Sequence, residues 1–222
     1  MYLSRLILNP RSRQVQHELA DPYEMHRTVC RAFPNANFKE NEPSGILFRV
    51  DLHPRTGVPT LLVQSQQQPD WLFLHADRKN YLLDEAALPL GVENPAWKEI
   101  DLQFRRGQAL AFRLRANPTK RLKENAKRIG FFREEDQLAW LKRKVEAAGG
   151  TLLSAHVTGK VNLRGKLFIE KDDARRMRFV SAQFEGILQV ENPDLLVKNV
   201  AAGIGSGKGL GFGLLSIAPA RG

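Results

Sequence analysis

Predicted elements that run β-α-β-β-α-β once clearly and once in part, within a chain of 222 residues, point to an α+β protein of two tandem ferredoxin-like domains with a C-terminal glycine-rich loop. The expected division is 1–104 and 105–222. No residue repeat accompanies the repeated order, so the expectation rests on the elements themselves.

In the first half, YLSRLILN alternates as a strand. Asp21-Pro22-Tyr23-Glu24 opens a helix: Asp caps it, Pro sits at the first helical position where its missing N–H costs nothing, and Glu follows three residues after the cap. That helix is expected to reach about Phe33 and stop before Pro34. GILFRVDL and VPTLLVQS flank His53-Pro54-Arg55-Thr56-Gly57, whose Pro and Gly mark a turn, and they read as a hairpin. Residues 69–100 read as a short helix and an irregular connection leading to a strand near Ile100–Phe104.

From Gln108 the order restarts with ALAFRLRA as a strand, followed by a basic loop over 117–128. A helix is expected over 134–148, with Leu138, Leu141, Val145 and Ala148 on one face and Gly149-Gly150 ending it. TLLSAHVTGKV and MRFVSAQFEGILQV read as strands. Asn192-Pro193-Asp194 opens a short helix through Val200, and Leu214–Ile217 is the last strand.

A hydrophobic content of 42% with 26% charged residues excludes wholesale disorder. The single cysteine, Cys30, makes neither an internal disulfide nor a cysteine-rich zinc site, which favours a reducing cytoplasmic setting. Apolar stretches fall short of the roughly 20 residues of a membrane span, and MYLSRLILNPRSR lacks an apolar signal core. No membrane partner is expected. The net charge of +10 favours a polyanion. Most of it is local: residues 104–133 hold ten Lys or Arg and only Glu124 as acid, and a weaker cluster at 156–178 includes Lys160, Arg164, Lys166 and Arg178. Such density suits phosphate neutralisation, although single members could simply solvate strand edges.

The run Gly203-Ile204-Gly205-Ser206-Gly207-Lys208-Gly209-Leu210-Gly211-Phe212-Gly213 imitates nucleotide motifs without matching them. A Walker A loop needs Gly five residues before its Gly-Lys, where Ala202 stands, and Ser or Thr after it, where Gly209 stands. Strict alternation of glycine also breaks the dinucleotide G-x-G-x-x-G register, and both motifs need a following helix. What remains is backbone N–H groups unobstructed by side chains, plus Lys208, which together suit a phosphate backbone. A flexible link before an edge strand is the alternative.

The five histidines show no zinc-helix spacing, and His26 with Cys30 supplies only two ligands, so no metal site is expected. On the first helix Met25, Val29, Ala32 and Phe33 form the buried stripe, while Tyr23, His26, Arg27 and Cys30 share another face. A phenol, an imidazole and a guanidinium therefore point the same way. They suit proton transfer and phosphate binding without metal.

Three stretches, YLSRLILNPRSRQVQHELADPYEMHRTVCRAFP, RLRANPTKR and VKNVAAGIGSGKGLGFGLLSIAP, together resemble the CasE-type CRISPR RNA endoribonucleases of type I-E Cascade systems, within the RAMP superfamily, over essentially the whole chain. The resemblance implies RRM-related domains and metal-independent, cofactor-free cleavage of the repeat stem-loop in precursor CRISPR RNA. Attack of a ribose 2′-hydroxyl on the adjacent phosphorus would leave a cyclic phosphate. The product would stay bound and join other subunits of a Cascade-type complex. Catalytic roles would fall to Tyr23 and His26, with the division between acid and base open. RNA contacts would come from Arg27 and Arg31 near the cut, from Lys120, Arg121, Lys123, Arg128, Lys160 and Arg164 on the stem, and from Gly203, Gly205, Gly207 and Lys208 in the loop. A subunit that binds structured RNA without cutting it is the alternative. No RNP-type aromatic motif is evident, which argues against base stacking on the sheet.

Overall fold

The computed structural model describes residues 1–34, 45–76, 78, 80–121, 128–169 and 173–220, with the side chains of 160–169 and 173–179 outside that description. These residues divide into two compact units, Met1–Asp101 with Gly209–Gly211, and Leu102–Lys208 with Phe212–Gly222.

In the first unit, β1 (Tyr2–Ile7), β2 (Leu47–Leu52), β3 (Pro59–Ser65) and β4 (Ala96–Glu99) form an antiparallel sheet of order β2-β3-β1-β4. Leu6 and Leu8 pack with Leu61 and Val63 of the sheet and with Met25, Val29, Ala32 and Phe33, the anticipated stripe, in one buried core. Each of these Leu, Val, Met and Phe side chains contributes about 1.5–3 kcal/mol by leaving water. Met25 and Val29 belong to α2 (Pro22–Cys30), which Arg31 caps at its end, so regular helix stops earlier than Phe33, and Ala32 and Phe33 complete the stripe from the turn that follows. Ahead of it stands α1 (Arg13–Ala20), which hydrophobic periodicity does not reveal because it buries only Val15 and the polar Glu18. After β3 the second crossover is the single turn α3 (Phe73–Ala76) with a 3-10 turn at Glu85–Ala87.

The fourth strand lies at Ala96–Glu99 and not near Ile100–Phe104. Asn94 fixes this start by bonding Ile7 N–H and the carbonyls of Ile7 and Leu83, so the following residues pair with β1 from Arg5↔Ala96 to Tyr2↔Glu99. Trp97, Lys98 and Glu99 are all exposed at this sheet edge, so no alternation marks them.

In the second unit, β5 (Ala109–Ala116) alternates strictly between buried and wetter positions. The expected basic loop is instead rooted in a hairpin, β6 (Thr119–Arg121) against β7 (Arg128–Gly130). Then come α4 (Glu134–Ala147), β8 (Gly150–Ile169), β9 (Asp173–Val190), α5 (Pro193–Ala202) and β10 (Leu215–Pro219). The sheet order β10-β5-β9-β8 repeats the strand arrangement of the first unit, so both units have ferredoxin-like topology. Trp140, Leu141 and Val145 of α4 and Leu196 and Val200 of α5 cover Phe112, Leu114, Phe184 and Leu188. Among the described residues no helix is long and apolar enough to cross a membrane.

Candidate active site

The helix α2 is defined at its start by Asp21, whose Oδ1 accepts the Tyr23 N–H at 3.0 Å. A carboxylate there also complements the positive end of the helix dipole. From its buried side α2 is held by Glu18, a carboxylate only 3% exposed. Glu18 accepts from Thr28 Oγ1 at 2.7 Å, Gln14 Nε2 at 2.9 Å, Arg78 Nη1 at 2.7 Å and the Tyr81 hydroxyl at 2.5 Å. Burial, and then the Glu18 charge, push the Tyr81 phenol far above its usual range, so it stays a donor.

His26 is half-buried on the face away from this network. Its ring stacks on Phe48 of β2 with centroids 6.2 Å apart and planes at 19°. Cys30 Sγ lies 3.5 Å from Nε2 and 3.8 Å from Nδ1, one helical turn along. The third neighbour is the returning segment Gly209–Gly211. A Cβ at Gly209 would stand 3.6 Å from both Cε1 and Nε2 of His26, so the backbone there lies against the imidazole; a Cβ at Gly211 would approach Phe48 to 3.2 Å. Burial holds the His26 pKa below its ordinary 6.5, so the imidazole is neutral at pH 7 and free to accept a proton. The same burial pushes the Cys30 thiol up to about 11. Cys30 therefore stays protonated and packs the histidine instead of acting as a nucleophile.

Tyr23 is half-buried one turn before His26 on the same helix. Arg27 is exposed and pairs with both oxygens of Glu24 at 3.2 Å, a surface pair weak enough to be exchanged for a phosphate. The Arg31 guanidinium lies 4.5 Å over the Phe73 ring. Neither Phe48 nor Gly209 could be tied to His26 from sequence, because Phe48 reaches it through the packing of β2 against α2 and Gly209 through the return of the chain after residue 208.

The other anticipated contacts lie in the second unit. Lys120, Arg121 and Arg128 are exposed on the β6–β7 hairpin, Lys120 with its amine 5.9 Å from the Phe131 ring. Lys123 lies outside the described residues, and Lys160 and Arg164 are on β8 with side chains outside the description. Gly203 is buried and caps α5, its N–H bound to the Asn199 carbonyl, so that amide is already occupied. Gly205 and Gly207 are partly exposed, and Lys208 Nζ donates to the Ala202 carbonyl at 2.5 Å, which ties the loop to the end of α5. Among the described residues no three His, Cys, Asp or Glu side chains converge as metal ligands.

The chain matches the family model described as CRISPR associated protein over residues 1–219. It is 37% identical over 231 residues to the CRISPR-associated endoribonuclease Cse3 of Thermus thermophilus, covering 99% of this chain and 100% of that one. It is 28% identical over 230 residues, with the same coverage, to the CRISPR system Cascade subunit CasE of Escherichia coli K12. A solved structure of CRISPR endoribonuclease Cse3 bound to 19 nt RNA superposes with a TM-score of 0.83 at 34% identity, covering 99% of this chain and 100% of that one. With both ferredoxin-like units inside the matched length, the chain belongs to the CRISPR-associated protein family, in its CasE and Cse3 type of the type I-E Cascade system.

Proposed function

We propose that this chain is a metal-independent endoribonuclease of the cytoplasm that binds the repeat stem-loop of precursor CRISPR RNA, cleaves it, and keeps the product as a subunit of a Cascade-type complex. The observation that carries the reading is the imidazole of His26, packed between Phe48, Cys30 and Gly209 in a chain alike over its full length to an endoribonuclease. Substrate RNA supplies its own nucleophile. His26 takes the proton of a ribose 2′-hydroxyl as its oxygen attacks the adjacent phosphorus; the bond to the 5′-oxygen breaks, and a 2′,3′-cyclic phosphate remains. Tyr23 donates a hydrogen bond toward the departing oxygen, which takes up a proton from solvent as it leaves, while Arg27, released from Glu24, balances charge on the phosphorus. Alignment and charge stabilisation suffice for such a step, which is why so few groups are needed. The lone Cys30 suits a reducing compartment.

The test replaces the single ribose 5′ to the scissile phosphate by deoxyribose. Binding should persist and cleavage should stop, because only the nucleophile is removed. Cleavage of that analogue would identify water as the nucleophile and refute the mechanism.

A further inference from the structure

Lys144 lies in neither basic segment of the sequence, yet α4 brings it to the same place as two residues that do. In the second unit a cavity of about 330 Å³ is lined by Arg121 and Arg128 of the β6–β7 hairpin, Trp140 and Lys144 of α4, and Gly205 and Ser206 of the glycine-rich segment. Its walls are fixed by packing. Trp140 is buried and stacks on Phe184 at 6.2 Å and 22°. Gly205 lies down on that indole with φ +90°, where a Cβ would come within 3.2 Å of the ring. An isolated antiparallel bridge joins Asn117, at the root of the hairpin, to Ser206.

Its charge is one-sided. Arg121, Arg128 and Lys144 are exposed, and among the described residues no carboxylate pairs with any of them. Other cations of the unit do have acid partners: Lys142 reaches Glu146 at 4.0 Å and Arg113 reaches Glu185 at 2.8 Å. Lys144 also repels Lys208, which adds to burial in holding the Lys208 amine below its usual value. The hydroxyls of Thr119 and Ser206 add neutral groups able to donate. Three cations with no acid partner among the described residues, around a rigid, donor-rich cavity, fit an anion with several acceptor oxygens.

We propose that this cavity is a phosphodiester pocket for the bound RNA, in which Lys144 and Ser206 complete a phosphate contact begun by Arg121 and Arg128. The proposal rests on the RNA-cleaving reading above and adds residues to it. Binding of the repeat stem-loop is measured by fluorescence anisotropy across a salt series for the wild type, Lys144→Ala, Lys144→Glu and Lys142→Ala, each with its melting temperature. Lys144→Ala should weaken binding about tenfold and flatten the log–log salt slope by about 0.7–0.9. Lys144→Glu should do more. Lys142→Ala, which removes the same charge from another face of the same helix, should keep the wild-type affinity and slope.

Wild-type affinity and slope in Lys144→Ala, or an equal loss in Lys142→Ala, would overturn the pocket while leaving cleavage by the wild type intact. A fall in melting temperature with no change in slope would also overturn it, since Lys144 would then serve only the C-terminal carbonyls of α4. Failure of the wild type to bind the stem-loop at all would instead refute the function on which the pocket depends.

Discussion

Replacing Glu18 by Gln isolates the network that holds α2. The amide keeps the shape and can still accept from Thr28 or Tyr81, but it removes the charge 2.7 Å from Arg78, whose side chain is only 14% exposed. An arginine so covered recovers little hydration, so the loss resembles breaking a buried ion pair, about 3–5 kcal/mol. In a chain of 222 residues each kcal/mol moves the midpoint by about 2–4 °C, which sets the expected drop in Tm at about 6–20 °C. Tyr81→Phe, which removes one neutral donor and leaves the carboxylate its other three, should cost about 1–3 kcal/mol. Thermal and urea unfolding of the three proteins provide the measurement. Thr28 lies on the opposite side of α2 from His26, so at 25 °C cleavage should suffer much less than stability. A Glu18→Gln midpoint within about 2 °C of the wild type, the equivalent of about 1 kcal/mol or less, would refute the claim that this carboxylate anchors the helix.

Other expectations follow from the histidine and the thiol. His26→Ala should lower the single-turnover cleavage rate by about 10²–10⁴ with RNA affinity nearly unchanged. Because burial depresses the His26 pKa below 6.5, the neutral form contributes stability that is present above 6.5 and is lost as pH falls through the folded value. The pH profile of kcat/KM should therefore show an acid limb with its midpoint below 6.5, and His26→Ala should lack that limb; a flat profile in the wild type would remove the proton-accepting role. With its thiol pushed up to about 11, Cys30 should resist alkylation at pH 8 in the folded protein and react readily once unfolded.

Local rules sufficed where one stretch of chain decides its own structure. Asp21, Pro22 and Glu24 announce α2, and the alternation of ALAFRLRA announces β5, because capping and burial period are written in neighbouring residues. They failed where the partner is remote or the element is polar. Helix α1 faces Thr28 and Arg78 with a carboxylate, which no hydrophobic pattern shows, and β4 lies at an exposed edge. Tyr23, His26, Arg27 and Cys30 could be grouped from helical spacing alone. That Phe48 and Gly209 pack His26 could not, since Phe48 stands on a separate strand and residues 209–211 return to the first unit only after about a hundred residues in the second. Lys208 shows the converse: a free cation by sequence, it is bound to the end of its own neighbouring helix.

On the proposed mechanism this chain cuts repeat RNA with its own side chains and the RNA's own hydroxyl. The most direct test is the single-turnover cleavage rate of the repeat stem-loop in excess EDTA, with the end group of the upstream fragment identified. The same rate as without chelator, together with a 2′,3′-cyclic phosphate, is the predicted result. A rate that collapses in EDTA and returns with Mg²⁺, leaving a 3′-hydroxyl, would contradict it.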